Sequence, residues 1–270
     1  MPPVTLTIAG SDNSAGAGAQ ADLKTMSALG CYGVTAITCV VAEVPGKVSA
    51  IQPMTPELVA EQVRLLFEAF PIAAVKTGML YSREIIAAVC DTLEECLAKC
   101  ARRPPLVVDP VMVATSGDAL LLGDAVALYR ERLFPMAALI TPNLDEVRTL
   151  LGRPVQTLGE MRRAGAELSA QCGVNFLLKG GHLREAVATD LLFAGGEVQE
   201  FTAPFVPGVS THGTGCTFSA AIAAELGKGR GLREAVGEAK RYVTAAIAQF
   251  HRWEHGGRTT DALQHFAARG

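Results

Sequence analysis

Short apolar runs rich in β-branched residues alternate along this chain with longer segments of helical period. Val4–Ala9 reads as a strand, followed by a Gly/Ser loop and a helix over Gly18–Leu29. Val34–Val41 is a second strand. Thr55 and Pro56 read as an N-cap and a first-turn proline, opening a helix to Phe70. Ala73–Thr77 is a strand and Ser82–Ala101 a helix; Leu106–Asp109 and Leu139–Thr141 are strands. Thr157 and Glu160 form a capping box for a helix to Cys172, before a strand over Val174–Leu178. Thr189–Phe193 and Glu197–Phe201 flank a Gly195-Gly196 turn and read as a hairpin. Two helices, Gly215–Lys228 and Leu232–Arg252, finish the chain. Continuous apolar strands separated by helices predict a mostly parallel sheet covered on both faces. No repeat, low-complexity tract or linker interrupts the pattern, so residues 1–270 read as one domain.

The polar residues that break this pattern share a position. Asp12, Lys76, Asp109, Asn143 and Lys179 all fall at or just beyond the carboxyl ends of predicted strands. Ligands of open α/β sheets bind in the crevice at those ends, so five such residues together predict one extended site.

The most informative segment is the turn Gly213-Thr214-Gly215, which runs into a helix of small apolar residues with Cys216 at its mouth. Such a turn aims several backbone N–H groups at one point, and the helix N-terminus adds partial positive charge. It suits a phosphoryl group, and the same field favours a thiolate at Cys216. The plainer alternative is a glycine turn capping a buried helix, with Cys216 as a small core residue. Neither common phosphate fingerprint fits well. Gly208 to Gly213 has Walker spacing, but Thr214 stands where the lysine belongs. Gly16, Gly18 and Ala21 match the dinucleotide spacing formally, yet a Ser/Asp/Asn/Gly stretch separates them from the strand end.

Asn143 and Glu146 are three apart, so on a starting helix they share a face. An amide oxygen and a carboxylate near phosphates suit a hydrated Mg²⁺; simple helix capping is the alternative. Asp109 has the same double reading, as part of a magnesium shell or as a loop hydrogen-bonding group. Lys179, beside Gly180 and Gly181, reads as a phosphate contact or as a solvated turn lysine.

Charge and composition narrow the partners. The 270 residues carry a net charge of −3, with 49% hydrophobic positions. Nothing basic predicts a nucleic-acid partner. No run approaches the roughly 18 apolar residues of a membrane span. The N-terminus has no signal-peptide pattern. The seven cysteines form no C-x-x-C pair, which predicts reduced thiols and a cytoplasmic protein.

Taken in order, several segments resemble the hydroxymethylpyrimidine/phosphomethylpyrimidine kinases of thiamine biosynthesis, within the ribokinase-like superfamily. They are residues 9–24, Lys76-Thr77-Gly78-Met79-Leu80, residues 107–112, Thr115 to Asp118, Thr141-Pro142-Asn143, Leu178 to His182 and Thr211 to Cys216. The resemblance implies a three-layer α/β/α ribokinase-like fold with a mostly parallel central sheet. It implies ATP-dependent phosphorylation of 4-amino-5-hydroxymethyl-2-methylpyrimidine and then of its monophosphate, with Mg²⁺ and as a homodimer. It implies Cys216 as base or orienting group, with Gly213, Thr214 and Gly215 holding the transferring phosphoryl. Asn143, Glu146 and Asp109 would place Mg²⁺, largely through water; Lys179, Asn143 and Thr211 would contact ATP. Gly10, Asp22, Glu43, Met79 and Val108 would line the pyrimidine pocket. Pyridoxal or pyridoxine, also flat rings bearing a hydroxymethyl group, are the nearest alternative substrates. A nucleotide-binding regulatory protein is the alternative of another class.

One position departs from the family. Where it usually carries Ala-Gln-Asn, this chain has Ala42-Glu43-Val44. An ionised Glu43 only accepts hydrogen bonds, whereas glutamine also donates. Glu43 is expected to shift substrate preference, or else to turn to solvent or pair with Lys47.

Overall fold

The computed structural model describes residues 1–112, 123–183, 187–209 and 212–267. An interior strand of its main sheet is β1 (Val4–Asp12), whose side chains are buried on both faces over nearly its whole length. A strand covered on both sides carries no charge along its covered run from Val4 to Ala9: Val4, Leu6 and Ile8 face one core, and the small, buried Thr5, Thr7 and Ala9 face the other way.

Around it runs a nine-stranded sheet in the order β3-β2-β1-β4-β5-β6-β7-β8-β9. The remaining strands are β2 (Tyr32–Val44), β3 (Lys47–Pro53), β4 (Ile72–Thr77), β5 (Leu106–Val108), β6 (Leu139–Ile140), β7 (Phe176–Lys179), β8 (Val187–Ala194) and β9 (Glu197–Pro204). From β2 through β7 the pairings are parallel. The outer pairs β2–β3, β7–β8 and β8–β9 are antiparallel. Gly195 and Gly196 close the β8–β9 hairpin with φ of 61° and 80°, a turn that side chains disfavour.

Helices cover both faces. On one lie α1 (Gly18–Ala28), α7 (Thr214–Gly227) and α8 (Leu232–Ala248), packed on Val107, Leu139, Leu177 and Leu192. On the other lie α2 (Pro56–Ala69), α3 (Arg83–Ala98), α4 (Gly123–Leu128), α5 (Leu144–Leu151) and α6 (Leu158–Cys172), packed on Leu6, Ile8, Val108, Ile140 and Leu178. Neighbours such as Val107 and Val108 therefore serve opposite cores, as the two-residue strand period requires. The sheet and its helices form the three-layer α/β/α arrangement expected from the sequence.

The predicted caps recur in the structure. Thr55 accepts the Leu58 N–H with Pro56 in the first turn, and both oxygens of the Thr157–Glu160 capping box are used. Two regions differ from expectation. The segment after the Pro45-Gly46 turn, to which the sequence pattern assigns no element, is the edge strand β3. The last predicted helix stops at Ala248 and is followed by a hairpin, β10 (His251–His255) with β11 (Arg258–Ala262). Its exposed residues include Trp253, and its cross-strand pairs begin at His251 with Ala262, just beyond the end of α8.

Candidate active site

The carboxyl ends of the parallel strands open onto one cleft of about 480 Å³. Asp12, Lys76, Asp109, Asn143 and Lys179 all line it, together with Gly10, Glu43, Met79, Glu146 and residues 212–216.

Asp12 organises the first wall. Its carboxylate accepts the N–H groups of Ser14 (2.7 Å), Gly16 (3.2 Å) and Ala17 (2.8 Å), so the loop after β1 wraps around one buried charge. Burial pushes this carboxyl up, but His212 and these loop hydrogen bonds outweigh it and hold it down at about 2. His212 Nε2 lies 3.2 Å from Asp12 Oδ2, tying the turn before α7 to the same loop. Glu43 closes the group: its backbone N–H donates to Asn13 Oδ1 at 2.7 Å. Ligand atoms of Asp12, Glu43 and His212 lie within 4.8 Å of one another. Burial pushes the Glu43 carboxyl up, and the Asp12 charge adds to that, against His212. Among the described residues Glu43 makes no ion pair with Lys47. The two carboxylates are instead neighbours on the cleft wall.

The opposite wall is charged. Lys179 Nζ donates to Asp109 Oδ1 at 2.8 Å, and Thr141 and Ser219 hydroxyls donate to the same carboxylate at 3.2 Å each. Burial alone would raise Asp109, but Lys179 and then Lys76 hold it below its ordinary value. Lys179 is thus a largely covered, ion-paired lysine on the cleft wall rather than a freely solvated turn residue. Asn143 caps α5: its Oδ1 accepts the Glu146 N–H at 2.9 Å, and Glu146 Oε2 accepts the Asn143 N–H at 2.7 Å. The capping alternative is therefore realised. Yet Glu146 is only 2% exposed. Burial, with the Asp109 charge adding, raises its carboxyl against the pull of Lys179.

Between the walls sits the mouth of α7. Gly213 has φ of 80°, and no side chain caps the helix. A Cβ on Gly213 would overlap the Gly16 carbonyl, so this turn packs directly on the first loop. A Cβ on Gly215 would lie 3.1 Å from Lys179 Nζ, so the absence of a side chain brings the lysine close to the turn. Cys216 lines the cleft, but the expected thiolate is not its resting form. Burial pushes the thiol up to about 11, against the favourable charge of Lys76 and a hydrogen bond from the Gly18 N–H. Desolvation by the cleft walls exceeds the helix-terminus effect here, although Cys216 is only half-buried.

Two residues expected to line the ring pocket lie below its surface. Asp22 is fully buried, bonded to Lys76 Nζ at 2.7 Å and to Thr7 Oγ1 at 2.6 Å. Val108 is a core residue of β5. Thr211 and the segment Thr115 to Asp118 lie outside the described residues. Sequence reasoning missed His212, although it stands inside the most informative segment. It also missed Asp190, which accepts the Gly180 N–H at 3.0 Å and pairs with Lys240 at 2.7 Å beside the cleft.

A comparison of the chain with protein-family models matches the phosphomethylpyrimidine kinase model over residues 12–261. The chain belongs to the phosphomethylpyrimidine kinase family. It is 46% identical over 257 residues to the hydroxymethylpyrimidine/phosphomethylpyrimidine kinase of Rhizobium meliloti, covering 95% of this chain and 94% of that protein. It is also 46% identical to the thiamine biosynthesis bifunctional protein of Geobacter sulfurreducens, over 90% of this chain but only 48% of that longer protein. Among solved structures of the fold, the Bacillus subtilis pyridoxal kinase in its ADP complex superposes with a TM-score of 0.87 at 34% identity, covering 99% of this chain and 98% of that one. The phosphomethylpyrimidine kinase of Clostridium difficile gives 0.78 at 38% identity, covering 91% and 99%. No helix among the described residues is long and apolar enough to cross a membrane.

Proposed function

We propose that the protein transfers the γ-phosphoryl group of ATP to the hydroxymethyl oxygen of 4-amino-5-hydroxymethyl-2-methylpyrimidine, and then phosphorylates the resulting monophosphate. The observation that carries this reading is the convergence of Lys179, the uncapped α7 mouth and Cys216 on one cleft in a member of this family. Backbone N–H groups at Gly213–Gly215 face the charge that develops on the transferring phosphoryl. Lys179 pairs with the ATP phosphates. Cys216 takes the hydroxyl proton as the oxygen–phosphorus bond forms. Because its thiol rests protonated, turnover through it rises with pH.

Asp109 and Glu146 give this wall two carboxylates beside the one lysine bonded to Asp109. Such a set of hard oxygen donors with excess negative charge fits a hydrated divalent cation. Asn143, Glu146 and Asp109 would hold Mg²⁺ there, largely through water, and the ion would neutralise phosphate charge. Gly10, Glu43 and Met79 border the ring, with Asp22 and Val108 supporting that end from below. The whole chain acts as one domain, as a cytoplasmic homodimer.

The 0.87 superposition on a pyridoxal kinase supports a second reading, phosphorylation of a vitamin B6 alcohol. A panel of the pyrimidine alcohol, its monophosphate, pyridoxal and pyridoxine, each with Mg-ATP, separates the two. The pyrimidine alcohol is expected to give the highest kcat/KM; a preference for pyridoxal would replace the first reading with the second. Cys216→Ala is expected to lower turnover about 10²-fold or more. Near-normal turnover would remove the base role.

A further inference from the structure

Lys76 has no part in the chemistry described so far, and its partner Asp22 has been given only a supporting place beneath the ring. Both side chains are fully buried, with 2.7 Å between Nζ and Oδ2. Thr7 donates its hydroxyl to that same oxygen. The other oxygen, Asp22 Oδ1, is buried without a hydrogen-bond partner. Removing two charges from water is repaid only when every remaining lone pair is satisfied. A well-packed apolar pair would serve the core as well or better. Stability therefore gives a poor account of this pair.

Its orientation gives a better one. Lys76 borders the cleft, whereas Asp22 and Thr7 hold it from below. The charged groups acting on the Cys216 sulfur are Lys76 from β4, Asp22 from α1 and Asp109 after β5, with the Gly18 N–H also bonded to it. Lys179 from β7 interacts with the sulfur too, but its nearer partners are Asp109 and Glu146. Lys76 lies near the carboxyl end of β4, Cys216 lies at the mouth of α7, which packs against β4, and both residues line the same cleft.

We propose that Lys76, clamped by Asp22 and Thr7, is the positioning residue for Cys216, the fixed positive charge against which the sulfur becomes an anion. The proposal rests on Cys216 acting as the base. The thiol proton leaves to water through the open cleft before the alcohol binds. The thiolate then takes the alcohol proton as the oxygen–phosphorus bond forms. The bond from the γ-phosphorus to the ADP oxygen breaks, and its electron pair stays with ADP. Lys76 keeps its proton throughout.

The test reads the sulfur directly. Iodoacetamide alkylation of Cys216 is followed against pH by mass spectrometry of its peptide, without ATP, in the full chain. The variants are Lys76→Met, Lys76→Arg and the double variant Lys76→Met with Asp22→Asn, which leaves no orphaned buried charge. An opposite charge close to an ionising group shifts it by about one to three pH units. Lys76→Met and the double variant are therefore expected to move the alkylation midpoint up by at least about one unit, making alkylation below it about tenfold slower. Lys76→Arg should stay near the parent profile. The kcat of Lys76→Met should fall while KM for ATP holds. A double variant that binds ATP normally and shows the parent profile would overturn the proposal. So would a double variant that cannot fold, since the pair would then be serving the core. Failure of the base reading is seen separately: Cys216→Ala would keep its turnover, while the alkylation profiles would still report whether Lys76 acts on the sulfur.

Discussion

Among the described residues two capping boxes of the same kind stand in opposite surroundings. At Asn143–Glu146 and at Thr157–Glu160 the cap side chain accepts the third N–H of its helix, and the glutamate reaches back to the cap. Glu160 stands in water, where hydrogen bonds from Gln156 and Thr157 outweigh a small burial effect and hold its carboxyl below the ordinary range. Glu146 is buried beside Asp109, and its carboxyl is raised. One motif thus stabilises its helix at low cost, while the other keeps a carboxylate where folding alone would not favour a charge. A stability–function trade-off at the second box is the physical content of that difference.

The largest break in the comparison is expected from Lys179→Ala. It strips Asp109 of its bonded cation and leaves two buried carboxylates facing each other. Turnover is expected to fall about 10²-fold or more, the scale for losing a charged group from the transition state. Parent-like ATP affinity and turnover in this variant would return Lys179 to a structural role.

Glu146→Gln comes next. The amide oxygen can still accept the Asn143 N–H, so the cap survives. The variant is expected to need about tenfold more Mg²⁺ for half-maximal rate, in line with loss of one ligand-shell group. Its melting temperature without metal should rise. An unchanged metal titration with a lower melting temperature would make this box the equal of the exposed one.

Thr157→Ala is the sharpening control. Loss of an N-cap costs about 1 kcal/mol, read from urea unfolding, and kcat should not move. A change in kcat there would undo the division between the two boxes.

The smallest effect is a difference of sign with pH. Glu160 is depressed on folding, so its contribution is present above the ordinary glutamate value of 4.5 and is lost as pH falls through its folded pKa. Glu146 is raised, so its contribution is present below 4.5 and is lost as pH climbs through its higher folded pKa. Melting temperatures of Glu160→Gln and Glu146→Gln, each subtracted from the parent across that range without Mg²⁺, should slope in opposite directions. Parallel slopes would mean that Glu146 titrates like a surface carboxylate.

What could be read from sequence was what local chemistry determines. Thr55 before Pro56 and Thr157 before Glu160 announce helix starts because cap and helix are neighbours in the chain. Asp12, Lys76, Asp109, Asn143 and Lys179 were legible as a group because strand ends are where helical and strand periods change. The pairings among them were not. Lys76 meets Asp22 across 54 residues, and His212 meets Asp12 across 200. Nothing in either segment marks its partner, since only the sheet order brings them together. The C-terminal hairpin was missed because His251 to His255 is polar and exposed on both faces, leaving no apolar alternation to betray a strand. Cys216 was misjudged in its ionisation for a related reason: the helix mouth is visible in sequence, but the depth of burial is not.

The close contact between Gly213 and the Gly16 carbonyl has a consequence for anyone redesigning this protein. In the proposed assignment the loop after β1 and the phosphoryl turn meet backbone to backbone at Gly16 and Gly213, with the His212 ring packed beside the contact. They form a single mutational unit. Libraries that vary residues 13–17 to admit a new alcohol will also perturb the phosphoryl-transfer turn, and selections for a new phosphoryl donor at 213–215 will return altered alcohol preference. Specificity for donor and acceptor therefore has to be evolved together, with both substrates present in the screen.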